Sequence, residues 1–198
     1  VTGFYALDID GDGKDDLVVL RLGANMVLRG LGDCKFERVD RAWHIDGGHA
    51  WTTAFSAEWE PGNRFPTLAF GNYVNRVAPG SPWGTCSDNV LMRPAAGGDT
   101  PDYSDPTALS PGYCALSMLF TDWNHSGEPA LRIANDRQYY RGGEEQLWRV
   151  QPDRPPRLYT RRDGWAHLGI WGMGIAQADL DSDGMPEYAI TSMGDTKL

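Results

Sequence analysis

The chain has no apolar run approaching the roughly 20 residues that cross a bilayer as a helix, and no basic stripe or Lys/Arg cluster. The first absence excludes a transmembrane helix; the second removes the phosphate-neutralising surface that nucleic acid or an anionic membrane requires. Cysteine is scarce: Cys34, Cys86 and Cys114 contain no CxxC pair, which leaves a zinc site without support. No HExxH motif surrounds the histidines at 44, 49, 125 and 167, and no serine sits in a G-x-S-x-G elbow. His44-Ile-Asp46 and His49 lie close together in a glycine-rich link, but two histidines and an acid arise cheaply by chance, and turn or surface histidines are the simpler reading. The opening Val1-Thr-Gly-Phe-Tyr5 lacks the basic region and apolar core of a signal peptide. A mature or trimmed chain would look the same, so this does not argue for the cytoplasm.

What is abundant is acid, and its placement is ordered. The formal net charge is −9 over 198 residues. Asp8-Ile-Asp10-Gly-Asp12-Gly13-Lys14-Asp-Asp16 and Asp179-Leu-Asp181-Ser-Asp183-Gly184-Met185-Pro-Glu187 follow one formula: carboxylates at loop positions 1, 3, 5 and 9, glycine at position 6. Bare anions at that density repel one another. A divalent cation removes the cost, and calcium accepts six to eight oxygens in a flexible shell. The glycine permits the sharp turn around the ion. The expected ligands are Asp8, Asp10, Asp12, Asp16 and the Lys14 carbonyl in one loop, and Asp179, Asp181, Asp183, Glu187 and the Met185 carbonyl in the other. An EF-hand is excluded, because position 12 is Val19 or Ile190 instead of glutamate. The following Leu17-Val-Val-Leu20 and Tyr188-Ala-Ile-Thr191 are strand material.

The acidic loop is part of a repeat. Related anchors occur at Glu58-Trp59-Glu60-Pro61-Gly62 and Asp122-Trp-Asn124-His-Ser126-Gly127, so that anchors recur roughly every 50 to 64 residues. Each lies between short apolar alternations such as Leu116–Phe120 and Leu131–Ala134. A second strand pair follows at a regular offset, Asn25-Met-Val-Leu-Arg29 through Val39, echoed by Asn89-Val-Leu-Met-Arg93 and Gln146-Leu-Trp-Arg149. Four short strands per repeat of about 50 residues is the pattern of a β-propeller blade. The expected fold is therefore all-β, an incomplete propeller of about four blade-like repeats spanning 1–47, 48–112, 113–164 and 165–198.

The alternation D-x-D-x-D-G-x-x-D between strands resembles the FG-GAP/VCBS repeats of integrin α-subunit propellers and of many bacterial extracellular proteins. Gly71-Asn-Tyr-Val-Asn75, Ile133-Ala-Asn-Asp136, Asn25-x-x-Leu28-Arg29 with Gly32-Asp33, and Gly172-Met-Gly-Ile-Ala176 are similar to the cartilage acidic protein/UnbV group in particular. Cys34 departs from that pattern, standing where a glycine is usual. The resemblance implies propellers of about seven blades, whereas this chain shows three and part of a fourth. It also implies an extracellular or periplasmic setting, with a protein partner or further blades covering the arc. The function expected is non-enzymatic recognition; a carbohydrate-binding propeller and part of a polysaccharide-cleaving enzyme are the alternatives.

The remaining expectations are local. In the third loop Asp122, Asn124 and Ser126 form a poor calcium site, because Ala130 occupies position 9. The second loop, aligned on Glu58 with Pro66 at position 9, is expected to bind no metal and to turn at Pro61-Gly62. Trp59 and Trp123 are expected at the same loop position. The tryptophans as a group (Trp43, Trp51, Trp59, Trp83, Trp123, Trp148, Trp165 and Trp171) are read as packing between blades, with sugar stacking as the alternative. Pro79, Pro82, Pro94, Pro101, Pro106 and Pro111 predict a long surface loop stapled by Cys86–Cys114, with Cys34 left single. Closing about 29 residues stabilises by roughly 3–4 kcal/mol through loop entropy.

Overall fold

The computed structural model describes residues 1–45, 48–82, 85–136, 143–194 and 196–197. Among them there is no α-helix, and none long and apolar enough to cross a membrane. Four antiparallel meanders follow one another along the chain. The first comprises β1 (Gly3–Leu7), β2 (Asp16–Leu20), β3 (Met26–Gly32) and β4 (Lys35–Arg38). The second comprises β5 (Thr52–Glu58), β6 (Thr67–Asn72), β7 (Asn89–Met92) and β8 (Pro106–Leu109). The third comprises β9 (Ala115–Thr121), β10 (Ala130–Asn135), β11 (Gln146–Arg149) and β12 (Arg157–Leu158). The fourth pairs β13 (Gly172–Ala178) with β14 (Glu187–Ser192).

One register recurs in all four sheets. The first hairpin closes on the pairs Leu7↔Asp16, Glu58↔Thr67, Thr121↔Ala130 and Ala178↔Glu187. The second strand then meets the third at Val19↔Met26, Phe70↔Val90 and Ile133↔Gln146. In the fourth sheet Ile190 pairs with Lys197 at the equivalent place, after the same return as Val19 to Met26. The residue preceding each of these third-strand partners caps the turn from within. Asn25 Oδ1 accepts the Arg21 N–H (3.0 Å), Asn89 Oδ1 that of Asn72 (2.9 Å), and Glu145 Oε2 that of Asn135 (2.8 Å).

The sheets stack through their first strands. Thr53 Oγ1 donates to the Ala115 carbonyl (2.6 Å), Ser56 Oγ accepts from Phe120 N–H (3.1 Å), and Ser117 Oγ from Ile175 N–H (3.3 Å). Strand alternation sends one set of side chains to each neighbouring sheet. Val18, Leu20 and Val27 of the first sheet meet Phe55, Leu68, Phe70 and Met92 of the second. Ala54, Ala69, Leu91 and Leu109 on its other face meet Met118, Phe120, Leu131, Ile133 and Trp148 of the third. The approach of β6 to β9 is close enough to require glycine. A Cβ on Gly71 would lie 2.8 Å from that of Ala54 and 3.0 Å from both Ala115 Cβ and Met118 Sδ.

The proline-rich stretch differs from its expectation. Cys86 and Cys114 are joined as expected, with their Cα atoms 4.9 Å apart, and Cys34 is exposed and free. Yet the stretch is not one long loop, because β7 and β8 lie inside it and complete the second sheet. Its prolines sit where a ladder tolerates them: Pro94 follows β7, and Pro106 is the first residue of β8, the outermost strand. The tryptophans divide. Trp43 and Trp148 are buried, and Trp123 meets Tyr159 edge-on at 5.9 Å, whereas Trp59 (47% exposed) and Trp171 (40%) stand in solvent. Trp83 lies outside the described residues, as does Asp46 of the His44-Ile-Asp46 group.

Candidate metal centres

Every first hairpin is closed by the same eight-residue loop, and in three of them the backbone bonds follow one template. The position-1 aspartate draws the chain around itself: Asp8 Oδ2 accepts Gly13 N–H (2.9 Å), Asp122 Oδ2 that of Gly127 (2.8 Å), and Asp179 Oδ2 that of Gly184 (3.0 Å). Those glycines have φ of 83°, 76° and 89°, the left-handed region that favours glycine. The side chain at position 5 then accepts the N–H at position 7: Lys14 to Asp12 Oδ1 (3.0 Å), Glu128 to Ser126 Oγ (3.2 Å), and Met185 to Asp183 Oδ1 (2.7 Å).

The ninth position separates the loops. Asp16 Oδ2 accepts Ile9 N–H (2.9 Å), and Glu187 Oε2 accepts Leu180 N–H (2.7 Å), so each acid is folded back beneath its own loop. The result is two groups of three carboxylates. Asp8, Asp10 and Asp16 each place one ligand oxygen within 4.8 Å of the others, and Asp179, Asp181 and Glu187 do the same. Ala130 provides no such oxygen in the third loop, where Asp122 is the only carboxylate engaged in the template.

Two features make the acidic groups suited to a hard divalent cation. Asp16 is fully buried. Its carboxyl is pushed above the ordinary aspartate range chiefly by that burial, with the charges of Asp10 and Asp8 adding to it and the N–H groups of Gly30 and Ile9 opposing. A cation at the cluster would reverse this penalty. In the fourth sheet no Lys or Arg pairs with Asp179, Asp181, Asp183 or Glu187 among the described residues. Carboxylate oxygens at this spacing could hold a metal ion.

Asp12 and Asp183 fall outside the three-carboxylate groups. Asp12 Oδ2 bonds Lys14 Nζ (3.0 Å) and Arg29 Nη2 (2.9 Å), and Arg29 Nε bonds Asp10 Oδ2 (2.6 Å). The role of Arg29 had no sequence signal beyond its recurrence as Arg93 and Arg149 at the same strand position. Asp12 is held below the usual carboxylate range, first by its bond to Lys14.

The second loop corrects its alignment. Because Glu58 pairs with Thr67 as Leu7 pairs with Asp16, Trp59 and not Glu58 occupies position 1, and position 9 is Thr67 and not Pro66. Trp59 and Trp123 are therefore one place apart in the template, at positions 1 and 2. Counting acids from the sequence favoured Glu58 as the anchor; only the strand register reveals the offset. Pro61-Gly62 does set the turn, with Asn63 N–H donating to the Glu60 carbonyl (3.0 Å). Here an internal cation stands in. Glu60, 2% exposed, accepts from Thr67 Oγ1 and from Arg93 Nε (2.7 Å). Arg93 continues to the turn between β11 and β12 of the third sheet, donating to the Gln151 carbonyl (2.8 Å) and the Arg154 carbonyl (2.7 Å).

No family model matches this chain, and no curated protein matches it in sequence.

Proposed function

We propose that this chain is a calcium-stabilised arc of a β-propeller of the FG-GAP/VCBS type, acting as a non-enzymatic protein-interaction module in an extracellular or periplasmic assembly. The two acidic loops are its calcium sites. Asp8, Asp10 and Asp16, with Asp12 and the Lys14 carbonyl, would hold one ion. Asp179, Asp181 and Glu187, with Asp183 and the Met185 carbonyl, would hold the other. Calcium is structural in this reading: it pins the loop that joins the first two strands of a blade and neutralises acids that the fold brings together.

The observation that carries the interaction role is the outer face of the first sheet. By register, Phe4 corresponds to Phe55 and Met118, since these pair with Val19, Phe70 and Ile133. Phe55 and Met118 are 5% and 7% exposed, each packed against the preceding sheet. Phe4 is 66% exposed, and Ala6 beside it is exposed as well. The residues that elsewhere bind a neighbouring sheet thus face solvent here, which supports a partner surface or a further blade at that face.

Light scattering on the chain in calcium tests this. The reading expects concentration-dependent association or binding of a hydrophobic dye, reduced by Phe4→Asp. A monodisperse, cooperatively melting monomer that binds no dye would overturn it.

A further inference from the structure

The segment between the first two sheets and the connection from β7 to β8 share a polar pair that neither acidic loop uses. His44 Nδ1 lies 2.9 Å from Asp102 Oδ1, joining residues 58 apart in sequence. Both are fixed by their neighbours. Trp43 and Tyr103 are buried, and Tyr103 N–H donates to the Trp43 carbonyl (3.0 Å), while Tyr103 Oη donates to the Pro66 carbonyl (2.7 Å). Asp102 Oδ1 also accepts Ser104 N–H (3.1 Å). His44 itself has φ of 55°, a left-handed backbone that costs a non-glycine residue on the order of 1 kcal/mol or more. Such a conformation persists only where the surroundings enforce it.

His44 lines a groove of about 660 Å³, within the range of small-molecule sites. Its apolar lining comes from the second sheet and the connection between β7 and β8: Val90, Met92, Tyr103 and Pro106. Its charged lining comes from the segment after β4. Asp40 lies on the groove but is already paired with Arg38 (2.6 Å), and Asp102 is paired with His44. Arg41, also on the groove, has no partner among the described residues. With Nδ1–H of His44 donated to Asp102, Nε2 is the ring nitrogen left for a ligand, and it donates to an anion in the imidazolium form.

We propose that this groove is a binding site for a small organic anion with an apolar body, whose anionic group is taken by Arg41 and His44. The body lies on Val90, Met92 and the ring of Tyr103. Guanidinium and imidazolium recognise carboxylate and phosphate oxygens through charge-assisted bonds. Asp102 is a positioning residue: it fixes the ring orientation of His44. The site shares no residue with either acidic loop, so it does not depend on the calcium reading.

The test is a titration with phenylacetate, phenyl phosphate and, as the neutral counterpart, benzyl alcohol. Binding is followed by the methyl NMR signals of Val90 and Met92 and by calorimetry. The expected result is saturable one-to-one binding of at least one anion, with shifts at those methyl groups. Benzyl alcohol should bind at least about tenfold more weakly. Arg41→Met should weaken the anion about tenfold without changing the melting temperature, and Met92→Trp should abolish binding of every probe by filling the groove. If Met92→Trp unfolds the chain, Val90→Phe serves as the filling variant. Absence of saturable shifts at Val90 and Met92, equal affinity for anion and alcohol, or an unchanged affinity in Arg41→Met would each overturn the proposal.

Discussion

Arg93→Met should be among the most damaging single changes in the second sheet, and the damage should not depend on calcium. Arg93 Nε is 2.7 Å from the carboxylate of Glu60, a residue 2% exposed, and its other nitrogens hold the Gln151 and Arg154 carbonyls beside the third sheet. Removing one partner of a buried ion pair costs about 3–5 kcal/mol, because the other charge stays buried and uncompensated. The Arg93 side chain is 24% exposed, so solvent screens part of that cost and about 3 kcal/mol is expected. For a chain of this size that corresponds to a fall of roughly 6–12 °C in melting temperature. Glu60→Gln added to Arg93→Met removes the stranded charge and should recover about 2 kcal/mol. Melting curves should be taken in calcium and in chelator, since the pair lies apart from both acidic loops. Arg29→Met provides the contrast: it neutralises Asp10 and Asp12, so its loss should cost more in chelator than in calcium. A loss below about 1 kcal/mol for Arg93→Met, or a double variant no more stable than the single, would refute the reasoning.

Two further outcomes follow from other sites. Burial pushes the Glu145 carboxyl up to about 8, with Asp136 adding and the N–H groups of Asn135 and Gly172 and the charge of Arg132 opposing. Its pKa is thus higher folded than unfolded, so the stability it contributes is complete below about 4.5 and is lost as pH rises through about 8. Chemical denaturation from pH 5 to 9 should show that decline, and Glu145→Gln should flatten it; an unchanged slope in the variant would count against the assignment. Reduction of Cys86–Cys114, or Cys86→Ala, should destabilise by roughly 3–4 kcal/mol, read as a lower denaturation midpoint, because the bond ties the second sheet to the start of the third. Protein isolated without reductant should show both cysteines blocked to alkylation.

The parts of the fold legible in the sequence were those encoded by short-range chemistry. Asp-Gly spacing announced the loop template, because glycine at position 6 and a carboxylate at position 1 are needed together for the bonds seen at Gly13 and Gly184. The all-β class followed from β-branched alternation, and the disulfide from two cysteines bracketing a proline-rich stretch. What failed depended on register. The second loop was shifted by one residue because Glu58 looks like an anchor acid, while the ladder places it at the end of β5 opposite Thr67. Likewise β8 was hidden by Pro106, its first residue, and by Pro111 just after it, whereas β7 was legible in Asn89-Val-Leu-Met92. The partnership of Arg93 with Glu60, and of His44 with Asp102, joins residues 33 and 58 apart. No local pattern encodes such pairs; they exist only once the strands have assembled.

The central claim is that the two acidic loops are calcium sites that hold this arc together. Titration calorimetry of the chelator-treated chain with calcium, followed by melting with and without the ion, tests it most directly. The account predicts two bound calcium ions per chain and a melting temperature raised by calcium; a free concentration about 100-fold above the dissociation constant adds roughly 2.7 kcal/mol per site. Asp10→Ala should abolish one site and Asp181→Ala the other, each removing part of the shift. No binding heat, together with superimposable melting curves in calcium and in chelator, would contradict it.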